Sequence, residues 1–269
     1  MIQPPGTSQV SGNRIRRVIL EQSKRANVGH IGSGLSVADI LAALYGGVLN
    51  LPAVDHPDRD RFILSKGHAV LGLYAALHLR GWLSAERLGT YCGEGSVLGV
   101  HPEHVLRGID FSSGSLGQGL SIGAGAALAA RLKGSSRRVF VLVSDAECNE
   151  GQVWEAAMFA AHHALSNVVA IVDLNGLQAL GHTREILALD MAALWSSFGW
   201  DTVAVDGHDL DALQTALQAA PRDGAPRAIV ARTLLGKGVS FMEDRLEWHY
   251  RNLTPELARR ALDELAARE

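Results

Sequence analysis

This sequence of 269 residues has little that is suited to cross-linking, to spanning a bilayer or to gripping a polyanion. Its two cysteines, Cys92 and Cys148, are too few for a disulfide framework and fall in no metal-ligand spacing. Both are expected as reduced thiols. No apolar run approaches the roughly 20 residues of a membrane span. The formal net charge is only -3 with both signs interspersed, so no basic stripe is available for nucleic acid. The first dozen residues are polar, contain Pro4 and Pro5, and lack the apolar segment of a secretory signal. These absences lead to the expectation of a cytoplasmic protein with small-molecule ligands, no membrane and no nucleic acid. No repeat, linker or low-complexity block divides the chain, so one domain over residues 1–269 is expected.

The chain is rich in apolar residues, at 47%, and in histidine, with 11. The apolar pattern alternates between short buried runs and helical periods. Strands are expected at 61–65, 139–143, 168–172, 202–205 and 228–232. Helices are expected at 12–27, 36–49, 69–80, from the Gly- and Ser-rich stretch 108–125 to about 133, and at 152–165, 191–198 and 210–219. Helix 36–49 carries a Ser-x-x-Asp capping box at Ser36 and Asp39. Thr254-Pro255-Glu256 starts a last helix over about 254–268. Strands alternating with helices give an α/β fold, a doubly wound parallel sheet with helices on both faces.

In such sheets ligands gather beyond the carboxyl ends of the strands. Two loops there carry cation chemistry: Ser144-Asp145-Ala146-Glu147 after one strand, and Asp173-Leu174-Asn175-Gly176-Leu177 after the next. One strand-helix-strand unit separates Asp145 from Asn175 and returns the chain to the same edge. A carboxylate, an amide oxygen and a backbone carbonyl near Leu177 then form an oxygen shell suited to Mg2+ or Ca2+, completed by diphosphate oxygens. The bland reading is an acidic strand end and an ordinary Asn-Gly turn.

The same two loops resemble the thiamine diphosphate motif, Gly-Asp-Gly followed at an interval by Asn. The chain also resembles transketolases at Ala26-Asn27-Val28-Gly29-His30, Leu64-Ser65-Lys66-Gly67-His68, His101-Pro102-Glu103, Gly114-Ser115-Leu116-Gly117-Gln118-Gly119 and Glu150-Gly151-Gln152-Val153-Trp154-Glu155. The resemblance continues through Val205-Asp206-Gly207-His208, residues 236–243 and Trp248-His249, in family order over nearly the whole chain. Two departures stand out. Ser144 and Ala146 replace the motif's glycines, and Val100 precedes His101 where glycine is usual. An alanine at 146 is strained only if its φ is positive.

The resemblance implies a thiamine diphosphate-binding fold and roles for particular residues. Asp145, Asn175 and Leu177 would hold the metal. His68, Gly114, Leu116, Asp145, Ala146, Glu147, Asn175 and His249 would contact the cofactor. His30 and His249 would move protons, His68 would lie near the diphosphate and reacting end, and His101 would hold the terminal hydroxyl of a ketose donor. Glu150 would lie at a subunit junction and help carry the proton that activates the aminopyrimidine. Groups titrating near neutrality suit proton transfer on sugar hydroxyls. His56, His78, His104, His162, His163, His182 and His208 read as ordinary histidines.

The resemblance is to the N-terminal, diphosphate-binding half of a transketolase. The pyrimidine-binding half, whose glutamate protonates the aminopyrimidine, is then expected on a separate polypeptide, in an α2β2 heterotetramer. The expected activity is transfer of a two-carbon ketol unit from a ketose to an aldehyde or sugar acceptor. A split ketotransferase taking its unit from an α-keto acid such as pyruvate is the first alternative, and a non-catalytic scaffold subunit the second.

Overall fold

Val139–Ser144 is buried at every residue, and Val168–Leu174 at all but its last. That is the signature of strands covered on both faces. In the computed structural model, which describes residues 10–267, they are the centre of a five-stranded parallel sheet. In chain order the elements begin with helices α1 (Gly12–Ala26), α2 (Ile31–Ser36) and α3 (Ala38–Ala43) and strand β1 (Arg61–Leu64). They continue with α4 (Val70–Leu79), α5 (Ala85–Leu88), α6 (Gln118–Leu132), β2 (Val139–Ser144), α7 (Gly151–His162) and β3 (Val168–Leu174). Next come a small hairpin, β4 (Leu177–Gln178) with β5 (Gly181–His182), then α8 (Thr183–Ile186) and α9 (Met191–Ser197). The chain finishes with β6 (Asp201–Asp206), α10 (Leu210–Gln218), β7 (Arg227–Arg232) and α11 (Pro255–Ala266).

The sheet order is β1-β2-β3-β7-β6, with every pairing parallel. Alternate residues of each strand feed separate cores. Phe140, Leu142, Val169 and Ile171 pack with α1, α3, α4 and α10 on one face. Val139, Val141, Val168 and Ala170 pack with α6, α7 and α9 on the other. The doubly wound α/β architecture is therefore as the sequence predicts, and all five main strands lie where expected. The polar opening segment before residue 10 lies outside the described residues. Among the described residues no helix is long and apolar enough to cross a membrane.

Local chemistry sets the ends of the outer helices. Ser11 Oγ accepts the Arg14 N–H at the start of α1, and Thr254 Oγ1 accepts the Leu257 N–H at the start of α11. The expected helix 36–49 does not form as one piece. Ser36 is the last residue of α2, the chain breaks at Val37, and a π-turn follows over Leu44–Val48. The two capping-box side chains are engaged elsewhere. Ser36 Oγ donates to the Asp173 carboxylate at 2.7 and 2.8 Å. Asp39 accepts from Arg16 at 3.0 and 2.5 Å and faces His208 Nδ1 at 2.8 Å. Tertiary hydrogen bonds thus override the local cap.

Candidate active site

β2 and β3 are paired through Ser144 and Asp173, so their carboxyl ends open side by side. Asp145 leaves β2 and is buried at 1% exposure. Its Oδ1 accepts the Ala146 N–H at 2.9 Å, and its Oδ2 accepts the Gly176 N–H at 2.9 Å and the Thr183 hydroxyl at 3.3 Å. The carboxylate therefore touches the residue that follows Asn175, as the shared-edge argument requires. Burial, and then the neighbouring Asp173 charge, push its pKa up to about 6. Ala146 has φ -64 and ψ -38, an ordinary right-handed conformation. Alanine in place of the motif's glycine carries no backbone strain there.

Asn175 is oriented from behind. Its Nδ2 donates to Asp173 Oδ2 at 2.9 Å and its Oδ1 accepts the Leu177 N–H at 3.0 Å. Asp173 is fully buried and also accepts from Lys66 Nζ, Ser36 Oγ and Thr233 Oγ1. Burial alone would raise this carboxyl. The Lys66 cation and the hydrogen bonds outweigh it and hold the group below the usual range. Lys66 lies within a family block, and Asp173 two residues before Asn175, but sequence reasoning gave neither a task. The available signal was a lysine two residues beyond the buried strand β1, where burial is costly unless a carboxylate answers it.

His30, His68 and His249 form a triangle with ring centroids 5.6, 5.5 and 5.4 Å apart. His30 reaches it by preceding α2 in the left-handed region, φ 60, a conformation costing on the order of 1 kcal/mol outside glycine. His249 reaches it on a 3-10 turn, Leu246–His249. Burial and the Lys66 cation lower His68 to about 2, and burial with His30 lowers His249 to about 4. His30 is lowered by burial and by His101. These three rings are therefore neutral at physiological pH and able to accept or donate hydrogen bonds.

All four family histidines open onto one cleft of ≈ 360 Å³, whose walls include Gly114, Leu116, Ala146, Glu150, Asn175 and Leu177. His101 packs against Gly114, which has φ 149, and a Cβ at 114 would lie 2.8 Å from His101 Cδ2. Glycine is needed on both counts. Leu116 offers an exposed apolar surface. Glu150 is exposed and makes no cap bond to α7, so its carboxylate is free at the rim. Two buried nitrogens at this cleft, His249 Nδ1 and Gln178 Nε2, have no protein partner.

Glu147 departs from expectation. It is fully buried and lies off the cleft wall, accepting from Ser65 Oγ at 2.5 Å, Gly117 N at 2.8 Å and Ser144 N at 3.2 Å. It braces the 114–119 loop against β1 and β2, with both carboxylate oxygens taken by protein donors. His208 is structural, as the ordinary reading held. Its Nε2 accepts the Leu234 N–H at 2.9 Å while Nδ1 faces Asp39. Among the described residues no three His, Cys, Asp or Glu side chains are arranged to hold a metal ion between them.

The family described as transketolase, thiamine diphosphate binding domain, matches residues 7–261. The chain belongs to the transketolase family. It is 40% identical over 262 residues to the 6-deoxy-6-sulfo-D-fructose transketolase subunit SqwG of Clostridium sp. (strain MSTE9), covering 96% of this chain and 95% of that one. It is 37% identical to an apulose-4-phosphate transketolase subunit of Phocaeicola vulgatus, covering 97% of this chain and 95% of the relative. Among solved structures, a transketolase from Campylobacter jejuni superposes with a TM-score of 0.90 at 29% identity, over 99% of this chain and 43% of that one. This transketolase-family chain thus spans nearly all of those two subunit relatives and less than half of the Campylobacter enzyme.

Proposed function

We propose that this chain is the diphosphate-binding subunit of a two-component transketolase that moves a two-carbon ketol unit from a ketose to an aldehyde or sugar acceptor. The observation that carries the reading is the Asp145–Asn175 junction. A buried carboxylate of raised pKa lies against the residue next to an amide fixed by Asp173, with the Lys66 cation partly offsetting the rise. The two unpartnered nitrogens on the cleft also support a polar ligand there. These residues fit thiamine diphosphate with Mg2+ or Ca2+: Asp145, Asn175 and the Leu177 carbonyl would hold the cation.

The bound cofactor supplies a carbon nucleophile and an electron sink for the two-carbon unit. The protein's part is orientation and proton handling. Gly114, Leu116 and Ala146, on the cleft wall, would line the cofactor, and His68 would lie near its diphosphate. His30 and His249, neutral and adjacent, exchange protons with substrate hydroxyls. His101 orients the donor's terminal hydroxyl. The names of the two subunit-type relatives both contain ketose derivatives, which supports a ketose or ketose phosphate as donor.

Activation also needs a carboxylic acid against the aminopyrimidine, which the proposal assigns to a separate pyrimidine-domain subunit, in an α2β2 assembly with Glu150 near the junction. The free thiols Cys92 and Cys148 suit a cytoplasmic setting. The test is turnover by the chain reconstituted with its partner, fed hydroxypyruvate and pyruvate in parallel. Hydroxypyruvate should serve as donor; turnover of pyruvate alone would end the ketol-transfer reading.

A further inference from the structure

An amide is a cation ligand only if its oxygen, not its nitrogen, faces the ion. Nothing in an isolated Asn side chain chooses between the two orientations, which differ by a half-turn of the terminal group. In this cleft the choice is made by Asp173. A carboxylate only accepts hydrogen bonds, and here four donors surround it: Lys66 Nζ, Ser36 Oγ, Thr233 Oγ1 and Asn175 Nδ2. Turning the Asn175 amide over would set its oxygen against a carboxylate oxygen at a contact now 2.9 Å long. It would also aim an N–H at the Leu177 N–H, which now donates to Oδ1. The flip loses two hydrogen bonds and creates two repulsive contacts.

We propose that Asp173 is a positioning residue whose carboxylate, anchored by Lys66, Ser36 and Thr233, fixes the Asn175 amide with its oxygen presented to the cation. With Nδ2 occupied, Oδ1 keeps a lone pair beyond the one used by Leu177. Lys66 makes the arrangement sustainable: a carboxylate with no solvent exposure is costly unless an opposite charge answers it, and the Lys66 side chain is itself only 1% exposed. The inference rests on the reading that Asn175 holds the cation. It adds a cause for the amide's orientation and a role for Asp173, which is not on the cleft wall, and for Lys66, which is.

The test is calorimetric titration of Mg2+ into the full 269-residue chain in the presence of saturating thiamine diphosphate, with near-UV circular dichroism to establish folding. Removing a group that orients a metal ligand costs about 10–100-fold in metal affinity. Asp173→Asn should therefore raise the half-saturating Mg2+ concentration at least about tenfold. Adding Asn175→Asp to it should restore that concentration to within about threefold of wild type, because a carboxylate at position 175 has two equivalent oxygens and no orientation to lose. A purely structural role for Asp173 gives no such rescue.

If Asp173→Asn does not fold, the charge-free pair Lys66→Met with Asp173→Leu serves instead. Replacing both partners of a buried ion pair by apolar groups is often tolerated, and the same tenfold rise is expected. Either variant, folded and with the wild-type Mg2+ midpoint, overturns the inference and leaves the cation site standing. So does Asn175→Asp failing to rescue. A wild-type chain that shows no Mg2+-dependent heat refutes the cation site itself, and the inference with it.

Discussion

His68 is the most heavily perturbed base of the cleft, and its effect on stability can be worked out with its sign. Its pKa falls from 6.5 unfolded to about 2 folded, mainly by burial and next by the Lys66 cation. A depressed folded pKa means that the unfolded chain takes up the proton first. Stability is therefore intact above about pH 6.5 and is lost progressively as pH falls from there toward 2. At pH 5 the unfolded ring is largely protonated and the folded ring is not, which costs about 2 kcal/mol. Asp145 acts in the opposite direction, since a raised folded pKa returns stability on acidification, but it is common to wild type and variant and cancels in their difference. The measurement is urea unfolding of wild type and His68→Asn at pH 7 and pH 5, without cofactor or cation. Wild type should lose about 2 kcal/mol more than the variant between the two pH values. Equal losses, within about 0.5 kcal/mol, would refute the claim that this ring is held neutral.

Other perturbations test other parts of the site. Asp145→Ala should abolish the rise in melting temperature that thiamine diphosphate and Mg2+ together give the wild type, because ligand-linked stabilisation vanishes with binding. A variant that keeps the shift would remove Asp145 from the site. Gly114→Ala should destabilise the chain by about 1–3 kcal/mol and weaken ketose binding, since its Cβ would press on the His101 ring from a positive-φ backbone; chemical denaturation and KM for the donor check both. Ala146→Gly should lower stability by about 0.5–1 kcal/mol in the same denaturation assay. It should leave cofactor affinity unchanged, because Ala146 already sits at φ -64.

The sheet was legible because buried parallel strands are short apolar runs, and residues 139–143 and 168–172 could hardly be read otherwise. That the loops carrying Asp145 and Asn175 lie side by side was legible because adjacent parallel strands end on one edge, and the Gly176 N–H does reach Asp145 Oδ2. What sequence reading missed depends on long-range partners. Ser36 and Asp39 spell a capping box, yet each is claimed by a group distant in the chain, Asp173 for one and Arg16 with His208 for the other. Glu147 follows Asp145 and Ala146 in the loop expected to face the cofactor, but its side chain turns inward to Ser65 and Gly117. Residue adjacency does not fix side-chain direction. The β4–β5 hairpin, two residues per strand, is too short for a period to register.

Asp173 also ties the order of synthesis to the completion of the cleft. Ser36 and Lys66 precede it by 137 and 107 residues, while Thr233 follows by 60. A nascent chain therefore carries the carboxylate and its cation well before the last hydroxyl leaves the ribosome. Closure of such distant contacts is slow relative to local helix formation. No fragment ending before Thr233 can complete the set of donors around Asp173.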